Sequence, residues 1–322
     1  MPAVSIIVPV YKVEDSIARS VRSILSQSLE DMEFIFVDDC SPDRSMDILA
    51  EVLEEFSERR QQVILHRMPR NSGQAAVRTA ALAIAGGEYI AHCDSDDCLA
   101  PDACEKMYLK AREENLDIVY CDFLTGNDSL GWKLKNQKSA PGEEVRDLLG
   151  GRVMGNLWSR LIRSSLLKSA PAPLADYCED LVLVLYATLK ASSIGHLPQP
   201  FYHYYYREDS ISHTPGKEAL LGRTEALKSN AALMLDILRK DGRYKENSAD
   251  VIFFKYRCRQ DLKPFVHQRD ILRVWKNTFP EINRRFLFTP GIKAEEKFFF
   301  ILIYLHLFRP WKMMTGKIRG RI

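Results

Sequence analysis

Val4-Ser5-Ile6-Ile7-Val8-Pro9-Val10 is a continuous apolar run of strand length, too short for a helix and rich in Val and Ile. Outward from it, Ile17, Val21, Ile24 and Leu25 recur at i, i+4, i+7 and i+8 and mark one apolar helical face. Phe34–Val37 predicts a second strand, Leu49, Val52, Leu53 and Phe56 a second amphipathic helix, and Val63–His66 a third strand. An Ala-rich helix over Gln74–Ala85 is closed by Gly86-Gly87, and Tyr89–Cys93 reads as a fourth strand. Pro101 opens a helix to about Asn115, and Asp117–Phe123 is a fifth strand. This alternation predicts βαβ units: an α/β fold on a doubly wound, mostly parallel, Rossmann-like sheet with helices on both faces.

The 322 residues are 46% hydrophobic and 27% charged, which excludes disordered, collagen-like and low-complexity classes. A balance of 45 basic against 43 acidic residues lacks the basic excess of a nucleic-acid-binding protein, so no nucleic-acid partner is expected. Seven scattered cysteines form no CxxC pair, so neither a disulfide framework nor a thiolate zinc site is expected, and a reducing, cytoplasmic setting is. No basic segment precedes Val4, which argues against a signal peptide, and no apolar stretch reaches the ~20 residues that span a bilayer.

From residue 126 the pattern loosens. Thr125–Gly142 is polar and reads as a loop, Glu179–Ala191 as a helix and Pro198–Tyr206 as an extended aromatic run. Glu218–Lys240, Tyr244–Lys263, Arg269–Phe279 and Ala294–Met314 read as helices. The expected organisation is an α/β domain over 1–215, divided near 125, and a helical C-terminal region over 216–322.

In open parallel sheets, ligands bind outside the carboxyl ends of the strands. The loops there carry Pro9-Val10-Tyr11, Asp38-Asp39, Arg67–Gly73 and Asp94-Ser95-Asp96-Asp97. Carboxylates crowded on one edge repel unless cations or hydrogen-bond donors lie among them. Asp94 and Asp96, at i and i+2 of an extended segment, point the same way. Such hard oxygens suit Mg²⁺ or Mn²⁺ held jointly with substrate phosphates. A bare DxD is more often an acidic surface turn, and its place at a strand end opposite another acidic pair is what favours the metal. Asp38-Asp39, before Ser41-Pro42, reads equally as a turn or cap and as a carboxylate that accepts the N3–H of a nucleobase such as uracil. Glu179-Asp180 alone reads as a helix start favoured by the helix dipole.

Six segments occur in order: Val4–Tyr11 (VSIIVPVY), Ser20–Gln27 (SVRSILSQ), Phe36-Val37-Asp38-Asp39 with Ser41-Pro42-Asp43, Asn71-Ser72-Gly73 with Arg78, Gly87-Glu88-Tyr89-Ile90, and Asp94-Ser95-Asp96-Asp97. Together they resemble the nucleotide-binding half of the family 2 glycosyltransferases, which have the GT-A fold. The resemblance is close over 3–125 and continues more loosely through Asn156–Leu161, Glu179-Asp180 and Phe201–His213. It implies a nucleotide-sugar-binding half at 1–125 and an acceptor half at 126–215.

The same resemblance implies roles. Pro9 and Tyr11 line the nucleobase pocket, and Asp39, beside Asp38, accepts from the base. Arg78 holds carboxylates and diphosphate. Asp96 binds Mn²⁺ or Mg²⁺, while Asp94 serves metal, ribose or donor sugar with Ser95 and Asp97 in support. His213, ahead of His203, is a further contact to metal or diphosphate. The metal neutralises the leaving diphosphate. Asp180, next to Glu179, is the general base that takes the acceptor proton in a single inverting displacement. Tyr202, Tyr204, Tyr205 and Tyr206 read either as strand packing or as platforms for sugar rings. Thr79 stands where many members carry Asn. QxxRW is absent, so one sugar per encounter is expected rather than processive synthesis.

Phe298–Phe308 is apolar and aromatic, and Arg309, Lys312, Lys317, Arg319 and Arg321 follow with no acid after 296. It reads equally as a helix lying in anionic headgroups and as a buried last helix with a solvated basic end. The expected function is metal-dependent, inverting transfer from a UDP-sugar to a hydroxyl of a saccharide or lipid-linked saccharide in cell-surface polysaccharide biosynthesis, in the cytoplasm or at the inner face of the cell membrane. A sugar nucleotidyltransferase wants a Gly- and basic-rich phosphate loop, which Pro9–Glu14 does not supply. An inactive nucleotide-sugar binder or membrane-surface scaffold has no need of the acidic sets at 94–97 and 179–180.

Overall fold

The computed structural model describes residues 1–127, 129–206 and 216–308. They fall into two compact units. One comprises Met1–Leu148 and the chain from Arg152 to Tyr206; the other comprises Leu149–Gly151 and the chain from Gly216 to Phe308.

The first unit is a nine-stranded sheet covered by helices. Its strands are β1 (Val4–Val10), β2 (Met32–Asp38), β3 (Val63–Arg67), β4 (Tyr89–His92), β5 (Cys98–Leu99), β6 (Ile118–Asn127), β7 (Gly131–Lys135), β8 (Arg160–Arg163) and β9 (Ile194–Tyr205). Their order is β3-β2-β1-β4-β8-β6-β9-β5, with β7 beside β6. β1 is central and pairs in parallel with both neighbours, Val4 opposite Met32 on one side and Tyr89 on the other. That position explains its unbroken apolar run, since both of its faces are buried.

α1 (Ile17–Leu25) turns the predicted stripe of Ile17, Val21, Ile24 and Leu25 into the core. α2 (Ser45–Glu55), α3 (Gln74–Ile84) and α4 (Ala103–Glu113) complete the expected alternation. The chain leaves β1 toward β2 and β3, then returns through α3 to β4 on the far side of β1. The carboxyl ends of β1 and β4 therefore border the crevice where strand order reverses.

Beyond β4 the sheet is mixed. β8 lies antiparallel between β4 and β6, so β6 runs in the direction of β4 without touching it. β5, β7 and β8 oppose the other strands, and none of the three is predicted by the sequence pattern. β5 is two residues long, and β8 is an apolar pair between two arginines. The segment Thr125–Gly142 is not simply a loop. β6 extends to Asn127 and turns into β7, where Trp132 and Leu134 alternate with lysines on an edge strand. Asn127 Oδ1 closes the turn by accepting the Leu130 N–H at 2.8 Å. The aromatic run lies in β9, whose Pro198 and Pro200 fall where the register with β6 shifts. α5 (Glu144–Gly150), α6 (Ser164–Lys168) and α7 (Glu179–Lys190) follow in the second half of this region.

The second unit contains α8 (Lys217–Lys240), α9 (Ser248–Arg257), α10 (Arg269–Asn277) and α11 (Ala294–Tyr304). α9 is shorter than the predicted Tyr244–Lys263, and α11 ends at Tyr304; of the predicted Ala294–Met314, the part beyond Phe308 lies outside the described residues. Tyr256, Trp275, Phe286 and Phe300 form its aromatic core, with Phe286 and Phe300 stacked at 4.7 Å. Arg259 is buried there, its guanidinium 4.8 Å above Trp275 and its N–H groups on the carbonyls of Thr278 and Phe279. Along Phe298–Phe308, Phe300, Leu302, Ile303 and Phe308 are buried, whereas Phe298, Ile301, Tyr304, Leu305 and Leu307 are exposed. The basic segment after Phe308 lies outside the described residues. Among the described residues no helix is long and apolar enough to cross a membrane.

Candidate active site

The carboxyl edge of the sheet gathers most of the residues singled out above. Pro9 and Tyr11 sit at the end of β1, Tyr11 exposed to solvent with Lys12 Nζ 5.3 Å from its ring. Lys12 adopts φ +53, and its N–H donates to Ser41 Oγ at 2.8 Å. Asp43, quoted above only as part of a motif, ties this loop to the next one. Its carboxylate accepts from the hydroxyls of Ser41 and Ser45 at 2.6 Å each and from the Glu14 N–H at 3.2 Å. Burial works to raise its pKa, but these donors outweigh burial and hold it at about 2.

Asp38 and Asp39, at the end of β2, are buried and bound to backbone. Asp38 Oδ1 accepts the Ser41 N–H at 2.7 Å. Asp39 takes one amide on each oxygen, Ser72 N–H at 2.7 Å and Gly73 N–H at 2.9 Å. Gly73 has φ +84, and a Cβ there would collide with the carboxylate of Asp176. Asp176 in turn accepts the Ala75 N–H at 3.0 Å and caps α3 from the loop before α7. Asp176 is not legible in the sequence, because a polar loop residue carries no periodic signal.

Arg78 is the centre of the site. Sitting on α3 at 1% exposure, it donates through Nη2 to Asp94 Oδ1 at 2.9 Å, and its Nε lies 3.4 Å from both Glu179 Oε1 and Asp180 Oδ1. One buried guanidinium thus links the acidic turn after β4 to the acidic start of α7, where Glu179 lies 101 residues beyond Arg78 in sequence. Burial opposes its charge, but Asp180, Asp94 and Glu179 outweigh burial and raise its pKa. Its contacts are made to protein groups in the interior, and Arg78 presents almost no surface to solvent.

The acids around it respond to the same environment. Burial raises Asp94 to about 6; Arg78 opposes this, and Asp180 and Asp96 add to it. Burial, reinforced by Asp180, raises Glu179 well above the usual carboxylate range despite Arg78. Asp180 Oδ2 accepts the Leu157 N–H at 3.1 Å, whereas Oδ1 is buried without a hydrogen bond. Asp97 is raised well above its ordinary value by burial, then by Asp96 and Asp94.

Asp97 is built into the wall. Its oxygens accept from Tyr202 Oη and the Tyr205 N–H, each at 2.7 Å, and Tyr202 Oη also accepts the Asp94 N–H at 3.1 Å. Tyr202 is buried and stacked 4.1 Å from Trp158, so this member of the aromatic run is packing that holds the acidic turn and is no platform for a sugar. Ser95 is buried; Asp96 is half-buried, and its carbonyl accepts from Arg19 at 2.8 Å, whose guanidinium lies 3.4 Å over the Tyr205 ring. His203 is half-buried against Trp132, and His213 lies outside the described residues.

Among the described residues no three metal-ligating side chains converge. Asp94 and Asp96 are half-buried and offer hard carboxylate oxygens, the donor type that Mg²⁺ or Mn²⁺ takes together with substrate phosphates.

Residues 5–185 match the family described as Glycosyl transferase family 2. The chain is 30% identical over 268 residues to the putative glycosyltransferase EpsH of Bacillus subtilis, covering 80% of this chain and 76% of that one. It is 30% identical over 247 residues to the poly(ribitol-phosphate) beta-glucosyltransferase of Bacillus spizizenii, covering 74% of this chain and 38% of that longer one. Residues 1–349 of S. aureus TarS, solved with UDP-GlcNAc, superpose with a TM-score of 0.74 at 19% identity, over 98% of this chain and 92% of that one. A Pyrobaculum calidifontis mannosyltransferase with GDP-Man and Mn²⁺ superposes at 0.55 and 15% identity, over 98% and 84%. At such identities the structural likeness establishes the fold.

Proposed function

The chain belongs to glycosyl transferase family 2 and is a glycosyltransferase of the GT-A fold, and from that premise we propose that it transfers a sugar from a UDP-sugar, with inversion, to a hydroxyl of a saccharide or lipid-linked saccharide during cell-surface polysaccharide synthesis. The observation that carries this proposal is the span of Arg78 between Asp94 and the Glu179-Asp180 pair. It brings a donor-side acid and a candidate base to one cation at the topological switch point. The relative that acts on poly(ribitol phosphate) supports a cell-surface polymer as acceptor, and the UDP-GlcNAc complex supports a uridine nucleotide.

Asp180 is the proposed general base. It is the more exposed member of its pair, at 18% against 7% for Glu179, and its Oδ1 makes no hydrogen bond with protein. In that role it takes the proton of the acceptor hydroxyl as the oxygen attacks the anomeric carbon, and the bond to the diphosphate breaks on the opposite side. Arg78 Nε, 3.4 Å from Asp180 Oδ1, orients that carboxylate. Pro9 and Tyr11 flank the base, and Asp39 accepts from it with the second lone pair of an oxygen already holding a backbone amide. Asp96 and Asp94, with His213 as a further candidate, would hold Mn²⁺ or Mg²⁺, which supplies neutralisation of charge on the leaving diphosphate. The exposed Phe298, Ile301, Tyr304 and Leu305, followed in sequence by five basic residues, support contact with an anionic membrane surface where a lipid-linked acceptor resides.

Calorimetric titration with UDP, GDP and dTDP, each with manganese and with chelator, tests the proposal. Binding of UDP that requires metal and is lost in Asp96→Ala is expected. Absence of metal-dependent binding by any of the three nucleotides would overturn the proposal in favour of a scaffold.

A further inference from the structure

His92 ends β4 two residues before Asp94 and is 1% exposed. The other residues of this strand, Tyr89, Ile90 and Ala91, are buried and apolar, as a strand between β1 and β8 demands. An imidazole there loses its hydration and has to recover it through hydrogen bonds. Its Nδ1 lies 3.0 Å from Arg78 Nη1. A guanidinium only donates, so Nδ1 is the acceptor, the ring is neutral and its proton sits on Nε2. That Nε2–H is buried without a partner, so the ring is ordered by its contact with Arg78 rather than by its own satisfaction.

The contact decides how the guanidinium is turned. Three carboxylates surround Arg78, and a guanidinium prefers bidentate pairing with one of them. A fork closed on Asp94 would abandon α7, and a fork closed on Glu179 or Asp180 would abandon the turn after β4. The guanidinium is planar and rigid, so engaging Nη1 with His92 fixes the directions of the other two nitrogens. Nη2 then meets Asp94 at 2.9 Å, and Nε faces Glu179 and Asp180 at 3.4 Å. A fourth carboxylate at position 92 would deepen the negative charge, whereas an aliphatic residue would leave Nη1 free to turn.

We propose that His92 is a positioning residue, a neutral acceptor that holds Arg78 in the orientation spanning Asp94 and the Glu179-Asp180 pair together. Its effect on turnover rests on the transferase reading above; the hydrogen bond does not.

Two measurements on the full chain test it. In ¹⁵N-histidine-labelled protein without ligand at pH 8, His92, assigned by comparison with His92→Asn, is expected as the neutral Nε2–H tautomer. A proton on Nδ1 overturns the proposal. The second measurement is manganese-dependent release of UDP from UDP-glucose, UDP-galactose or UDP-N-acetylglucosamine, whichever the wild type consumes. His92→Leu removes the acceptor, His92→Gln moves it one bond outward, and His92→Asn keeps an oxygen where Nδ1 stood. The Leu and Gln variants are expected to lose about tenfold or more in kcat with donor KM little changed, and Asn to stay within about threefold of wild type. A Leu variant within about threefold of wild type, or an Asn variant as impaired as Leu, overturns the proposal. If the wild type releases UDP from none of the three, the functional reading fails, and the tautomer alone decides for or against His92.

Discussion

At the end of β2, Asp38 and Asp39 are held by backbone amides, Asp39 with one on each oxygen. At the end of β4 and the start of α7, Asp94, Glu179 and Asp180 share a single buried guanidinium. Both places carry clustered acids on the same sheet edge. At the first, backbone amides of two loops hold the carboxylates, with Arg67 Nε 3.4 Å from Asp38 Oδ2 at the surface. The second sets three carboxylates against one guanidinium, an excess of negative over positive charge. A pair of adjacent acids in sequence does not reveal which of the two it will become; the donors around it do.

Asp180→Asn separates the two ends most sharply. It is expected to lower turnover by ~10²–10⁴-fold while leaving UDP–manganese affinity nearly unchanged, read by steady-state kinetics beside calorimetry. Retained turnover would move the base elsewhere, most directly to Glu179. Arg78→Met comes next. It strands buried carboxylates without their cation and should cost about 3–5 kcal/mol in urea unfolding, a loss seen when one partner of a buried ion pair is removed. At the other end, Asp39→Asn replaces an acceptor with a donor facing a backbone N–H. It should cost about 1–3 kcal/mol by the same assay, and a cost equal to that of Arg78→Met would erase the contrast.

The smallest expected effect is on pH dependence. Burial raises Asp94 to about 6, so the group is protonated below that pH and a metal must displace its proton. Manganese-dependent UDP affinity should therefore weaken by up to about tenfold per unit as pH falls below 6, and hold level above it. Affinity independent of pH between 5 and 7 would remove Asp94 from the metal site.

Much of this was legible in the order of the residues. β1 and the apolar stripe of α1 match their predicted bounds because burial on two faces and burial on one stripe leave different periodicities. The acidic turn and the start of α7 were legible as places where acids gather, and their convergence on Arg78 was not, because it joins residues far apart in sequence. β5, β7 and β8 were not, being two to five residues long or charged at both ends; their pairing is a property of their neighbours. His92 and Tyr202 were equally hidden, because each reads as part of a strand until Arg78 or Asp97 is brought to it.

The sequence by itself determined the βαβ first half, the gathering of acids at the carboxyl edge of the sheet, and the family to which the chain belongs. Those follow from local periodicity and from residue types at fixed spacing, which need no distant partner. The tertiary structure alone decided that β8 enters antiparallel between β4 and β6, that Tyr202 carries Asp97 rather than a sugar, and that Arg78 joins Asp94 to residues 101 and 102 positions further along than itself. Electrostatic balance depends on distance in space, and a buried cation acquires its partners only once the chain has closed around it.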